Sequence, residues 1–145
     1  MHRRDTTGSR RTRGFTLIEL LVVLVILGLL AGLVGPRVIS YLGGAKSDSA
    51  RLQIEQFGAA LDLYRLEVGR YPSTEDGLTA LVQRPGSAPR WNGPYLKKNQ
   101  MPKDPWGQEY IYRSPGEHGA YDIVSLGADA VEGGEGENRD IVSWE

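Results

Sequence analysis

The chain contains no cysteine, which removes disulfides, thiolate nucleophiles, zinc ribbons and iron–sulfur clusters together. Histidine is nearly as scarce. His2 lies in a basic N-terminal stretch and His118 stands beside a glycine, so a histidine triad or a multi-histidine metal site lacks its material. No sign of charge dominates, because 17 basic residues oppose 18 acidic ones in 145 residues, a length suited to one domain. That balance hides a gradient. Residues 1–14 hold five arginines against one aspartate, whereas residues 36–145 hold 12 basic and 16 acidic residues. An acidic body repels phosphates, so nucleic acid is not an expected partner.

Charge is all but absent from Phe15 to Gly35, where Glu19 is the sole ionisable side chain. Twenty helical residues at about 1.5 Å each reach roughly 30 Å, the thickness of a bilayer core. The arginines immediately before this run keep the N-terminus cytoplasmic and send residues 36–145 across the membrane. A cleaved secretory signal and a plain signal anchor share this pattern. The first is opposed by the length of the apolar run and the lack of an A-x-A-like site after it. Glu19 weighs against both, since an unpartnered acid in lipid costs on the order of a few kcal/mol and such residues usually have a functional partner. A cut after Gly14 would place a new α-amino group on Phe15, one helical turn from Glu19 of the same chain or beside that of a neighbouring chain. Two opposite charges meeting in lipid select one axial stagger, so the pair would set register.

Helical patterning continues beyond the run. Pro36 removes one backbone donor and is expected to kink or loosen the helix, and Gly43–Gly44 soften it again. From Ser47, apolar residues Ala50, Ile54, Phe57, Leu61, Tyr64 and Val68 recur in steps of three and four, which predicts a buried stripe. Arg51, Glu55, Asp62 and Arg65 take the opposite face, with Arg51–Glu55 and Asp62–Arg65 at pairing distance. Gly69 and Pro72 end the helix. Ser73 and Asp76 resemble a capping box that opens a short helix through Leu81 or Val82. A Pro- and Gly-rich stretch then carries Trp91, Tyr95 and Trp106 as anchors onto the body. The runs Glu109–Arg113 and Tyr121–Ser125 predict a hairpin with a longer loop, and Asp140–Trp144 a third strand. The fold class is therefore α+β, with one long N-terminal helix packed by its second half on a small antiparallel sheet.

Gly14-Phe15-Thr16-Leu17-Ile18-Glu19, basic before and apolar after, resembles the type IV prepilin signature. Tyr71-Pro72, Glu75-Asp76-Gly77-Leu78, Gly93-Pro94-Tyr95-Leu96, Asp104-Pro105-Trp106-Gly107, Ser125-Leu126-Gly127-Ala128-Asp129, Gly133-Gly134-Glu135-Gly136 and Asp140-Ile141 with Trp144 narrow the likeness to the major pseudopilins of type II secretion. It spans residues 14–144. The resemblance implies three segments: a cleaved basic leader (1–14), a transmembrane and assembly helix (15–35) and a periplasmic domain (36–145). It implies cutting after Gly14 by the prepilin peptidase, N-methylation of Phe15, and assembly register from Glu19 with Pro36. The subunit would have no active site. It would be a single-pass protein of the inner membrane, polymerising with itself into a helical pseudopilus that pushes folded proteins through an outer-membrane channel. Minor pseudopilins and the inner-membrane assembly platform would be its partners.

Between Leu126 and Asp140, five acids alternate with glycines, a pattern open to a solvated loop or to a hard cation that takes six to eight oxygens. No D-x-D-x-D-G spacing marks an EF-hand. The family resemblance implies one calcium ion here, held by Asp129 and the carbonyls of Leu126 and Val131. The family often places a second carboxylate seven residues after that aspartate. Gly136 stands at that position, so Glu135 or Glu137 is expected to substitute. Calcium would replace the C-terminal disulfide of many true type IV pilins, in keeping with the absent cysteines. Two other readings share parts of the pattern: a type IV pilin for twitching or DNA uptake, and a single-pass anchored periplasmic binding module or hydrolase using the acidic loop.

Overall fold

The computed structural model describes residues 14–145, except the side chains of residues 39 and 40, so the leader up to residue 13 lies outside the described residues. The chain divides into two compact units at the step from Val38 to Ile39, close to the boundary after residue 35 expected from hydropathy. The expected long helix is α1, Leu17–Val68, with 52 residues and Pro36 inside it.

In the first unit, every described residue from 14 to 38 is exposed except half-buried Gly35. The helix there is apolar on all faces, so no single stripe can be hidden by one neighbour. It is long and apolar enough to cross a membrane, with none of its most apolar window buried.

The second unit is built on a stripe. Ala50, Ile54, Phe57, Leu61, Tyr64 and Val68 are all buried, while Arg51, Glu55, Asp62 and Arg65 stay exposed. Each fully buried leucine or phenylalanine contributes about 1.5–3 kcal/mol relative to exposure. The helix stops because Gly69 takes φ +95°, a left-handed turn that donates its N–H to the Arg65 carbonyl at 2.8 Å. The polar face differs from expectation at both pairs. Asp62 and Arg65 are joined through the Tyr71 hydroxyl, which donates to Asp62 at 2.8 Å and accepts from Arg65 at 3.3 Å. Arg51–Glu55 is not among the three ion pairs of the described residues.

Ser73 and Asp76 form the reciprocal box, with Asp76 N–H on the Ser73 hydroxyl at 3.1 Å and Ser73 N–H on the Asp76 carboxylate at 3.4 Å. The box opens into a turn and a 3-10 helix, Leu78–Leu81, rather than an α-helix. Gly77 explains the difference, since its φ of +62° interrupts right-handed winding between the box and Leu78. The long loop is pinned as expected. Trp91 donates its indole N–H to the Ala80 carbonyl at 2.7 Å, Tyr95 donates to Glu67 at 2.6 Å, and both rings pack on the core with Trp106.

The sheet has three antiparallel strands in the order β1-β2-β3: Ile111–Arg113, Asp122–Ser125 and Ile141–Val142. Pairing sets Tyr112 opposite Ile123 and Ser125 opposite Ile141, and these four residues are buried. The alternate residues Ile111, Val124 and Val142 are half-buried on the other face.

Candidate functional site

Two places gather the residues singled out from the sequence. At the start of α1, Phe15 is 90% exposed, and a Cβ added to Gly14 would meet nothing within 4 Å. No described residue crowds Gly14. Thr16 and Glu19 form a capping box. Glu19 N–H donates to the Thr16 hydroxyl at 3.2 Å, and Thr16 N–H donates to the Glu19 carboxylate at 3.1 Å. Two of the four unpaired N–H groups of the helix start are thereby satisfied. Sequence reasoning assigned Glu19 a register role and missed this local one, although Thr-x-x-Glu spacing carries the signal. Both roles need the same carboxylate. It lies within one turn of the residue that would become the N-terminus on cutting after Gly14.

The second place is the loop from Leu126 to Asp140, joining β2 to β3. Its floor is the Asp104-Pro105-Trp106-Gly107 turn. Buried Asp104 accepts N–H bonds from Trp106 at 3.1 Å and Gln108 at 2.8 Å on one oxygen. Its other oxygen accepts the Ser125 hydroxyl at 2.6 Å. Gln108 then reaches the Gly127 carbonyl with its side-chain amide at 3.1 Å. The loop folds back on itself above this floor. Ala128 N–H donates to the Glu137 carbonyl at 2.9 Å, and Gly127, at φ +67°, packs so close that a Cβ would lie 2.7 Å from that oxygen. Residues 136–138 close the return limb as a 3-10 turn.

The expected ligands are distributed unevenly. Asp129 is exposed and accepts the Val131 N–H at 3.2 Å. Glu135 is exposed. Glu137 is half-buried, with its side chain over Gly43 of α1. Asp140, like Glu132, is an acid that sequence reasoning left without a ligand role. One of its oxygens accepts the Gly133 N–H at 2.9 Å, while the other is buried without a hydrogen-bond partner. Leu126, Glu132 and Asp140 line one cavity together. Spacing could not reveal this, because Asp140 reaches the loop through the pairing of β3 with β2. Among the described residues no three His, Asp or Glu side chains form a metal-holding group. A cation would therefore draw on main-chain carbonyls beside one or two carboxylates, a donor set that suits calcium. An orphaned buried carboxylate oxygen is costly without a partner, so the loop fits such an ion.

A third cluster ties the far end of β3 to the hairpin. The His118 ring stacks on Trp144 with centroids 3.8 Å apart and planes within 7°, and its Nδ1 lies 3.1 Å from Asp122. Burial alone would raise the Asp122 carboxyl. The His118 ring and the N–H groups of Glu117 and His118 outweigh it and hold the carboxyl below its ordinary range.

Comparison with known proteins matches residues 37–144 to the family described as type II secretion system (T2SS), protein G, and residues 9–35 to the prokaryotic N-terminal methylation motif. The type II secretion system core protein G of Pseudomonas aeruginosa is 49% identical over 140 residues, covering 94% of this chain and 97% of that one. The protein of the same description from Vibrio cholerae is 45% identical, covering 93% of each. The crystal structure of the major pseudopilin from the type 2 secretion system of enterohaemorrhagic Escherichia coli aligns with a TM-score of 0.60 at 34% identity. That alignment covers 73% of this chain and 92% of the other. The chain belongs to the type II secretion system protein G family.

Proposed function

We propose that the chain is the structural, non-catalytic subunit of the periplasmic pseudopilus of a type II secretion system, polymerising through the first half of α1 to drive export of folded proteins. The observation that carries this reading is the exposed apolar helix of residues 17–34 with one acid, Glu19, at its start. Such a surface requires lipid before assembly and other helices after it. The prepilin peptidase would cut after Gly14, and methylation would follow on Phe15. The inner membrane would hold the span, with residues 36–145 in the periplasm. Minor pseudopilins and the inner-membrane assembly platform would be the other partners.

Cutting frees a charged amine at Phe15. In a lipid-like interior that amine and a Glu19 carboxylate offset one another's desolvation, and only the correct stagger brings them together. The Thr16–Glu19 box supports this by holding the carboxylate at the helix start rather than letting it extend along the span. For the loop, Asp129 and Asp140 would supply carboxylates and Leu126 and Val131 carbonyls to one calcium ion. When bound, the ion would neutralise the acids and cross-link the two limbs of the loop.

The test is Glu19→Ala in the full chain. Processing should continue, read by intact mass, while filaments visible by electron microscopy disappear. Normal filaments from this variant would refute the register role.

A further inference from the structure

Glu137 is half-buried, and three segments meet at it. Its carbonyl accepts the Ala128 N–H, tying the return limb of the acidic loop to the outgoing one at 2.9 Å. Its side chain lies over α1 at Gly43. A Cβ built there would fall 2.4 Å from Glu137 Cγ and 2.8 Å from its Oε1. Gly43 is buried, whereas its neighbour Gly44 is exposed and a Cβ there would meet nothing within 4 Å. Glycine in the middle of a helix costs about 0.5–1 kcal/mol relative to alanine. At 44 no contact explains that cost, but at 43 the missing methyl is the space that the Glu137 side chain fills.

We infer that Gly43 is a notch and Glu137 the key that fixes the acidic loop to α1, so that Glu137 acts as a positioning residue between loop and helix and not as a carboxylate ligand. The exclusion of Glu137 from the ligands rests on the calcium reading above; the notch does not. A loop keyed in this way transmits its order to the helix. An ion held by Asp129 and Asp140 would draw the 3-10 turn at 136–138 into place, and with it the side chain that covers Gly43. Ser47, one turn further along, donates its hydroxyl to the Gly43 carbonyl at 3.2 Å, so the notch sits at a stretch of helix with its own local tie.

The two adjacent glycines supply a matched test in the full chain held in detergent micelles. Gly43→Ala and Gly44→Ala raise helix propensity equally, and only the first displaces Glu137. Because the displaced atoms belong to a flexible side chain, the core should stay folded in both. In chelator, amide exchange at Ala128 should become about fivefold faster in Gly43→Ala and stay unchanged in Gly44→Ala. Glu137→Ala should match Gly43→Ala, and the double variant should be no worse than either alone, as expected for two halves of one contact. In calorimetric titration with calcium chloride, Glu137→Gln should retain wild-type affinity within about threefold, while Asp140→Asn should lose about tenfold or more. Equal exchange in the two glycine variants would overturn the key. A comparable loss of calcium affinity in Glu137→Gln would overturn the exclusion of Glu137 from the ligand set. Absence of any calcium heat from the wild type would refute the calcium reading, and the exchange comparison would still decide the key.

Discussion

The two halves of α1 are one continuous helix and have opposite dependence on their surroundings. From Leu17 to Val38 apolar side chains face every direction and remain exposed. From Ser47 to Val68 polar and charged residues interrupt them, and one stripe from Ala50 to Val68 is buried by the sheet and the long loop of the same chain, while Leu52, Leu63 and Leu66 stay exposed. The contrast shows that an apolar stripe bordered by polar residues can be completed by its own domain, whereas a helix apolar on all faces cannot be hidden by one neighbour. The first half stays exposed, apart from half-buried Gly35. The second carries the domain.

Alanine substitutions on the two halves should separate them most sharply. Leu61→Ala removes a fully buried side chain and should destabilise the domain by about 2–5 kcal/mol, read as a lowered thermal midpoint. Leu24→Ala, at a position 60% exposed, should leave that midpoint unchanged. A shift at Leu24 comparable to that at Leu61 would break the comparison. Next in size is the loop. Calcium at about a hundredfold excess over its dissociation constant should stabilise the folded chain by about 2.7 kcal/mol. Asp129→Asn and Asp140→Asn should each remove most of that gain. Glu132→Ala should not, and an equal loss there would redraw the ligand set.

Acid should produce a smaller effect. The Asp122 carboxyl titrates below its ordinary range in the folded chain, so its stabilising contribution is complete above about pH 4 and is lost as pH falls through the lower folded value. Melting from about pH 6 to about pH 2.5 should therefore show a steeper acid loss in the wild type than in Asp122→Asn. Parallel curves would show that Asp122 contributes nothing to acid sensitivity. The smallest effect belongs to the exposed polar face of the second half, where Arg51→Ala should change stability by less than about 0.5 kcal/mol.

Much of the fold was legible in the sequence because it depends on near neighbours. The steps of three and four from Ala50 to Val68 place all six apolar residues in the core, and alternation locates the three strands. The Ser73–Asp76 box forms, but the helix after it does not wind as α because Gly77 takes positive φ. The loop was harder. Its glycines and acids identify a place where the chain wraps tightly, yet the positions of Glu137 and Asp140 depend on α1 and on β3, elements distant in sequence. The family resemblance, with Gly136 at the expected position, brought Glu135 and Glu137 forward as the second carboxylate. The fold puts Glu137 on the helix and leaves the unpartnered oxygen on Asp140.

The central claim is that the exposed half of α1 becomes an assembly element once the basic leader is removed. The most direct test is the intact mass of the chain extracted from membranes of a cell that carries the secretion system. A species beginning at Phe15 and one methyl group heavier than its sequence mass is the predicted result. A species that retains residues 1–14 would contradict it.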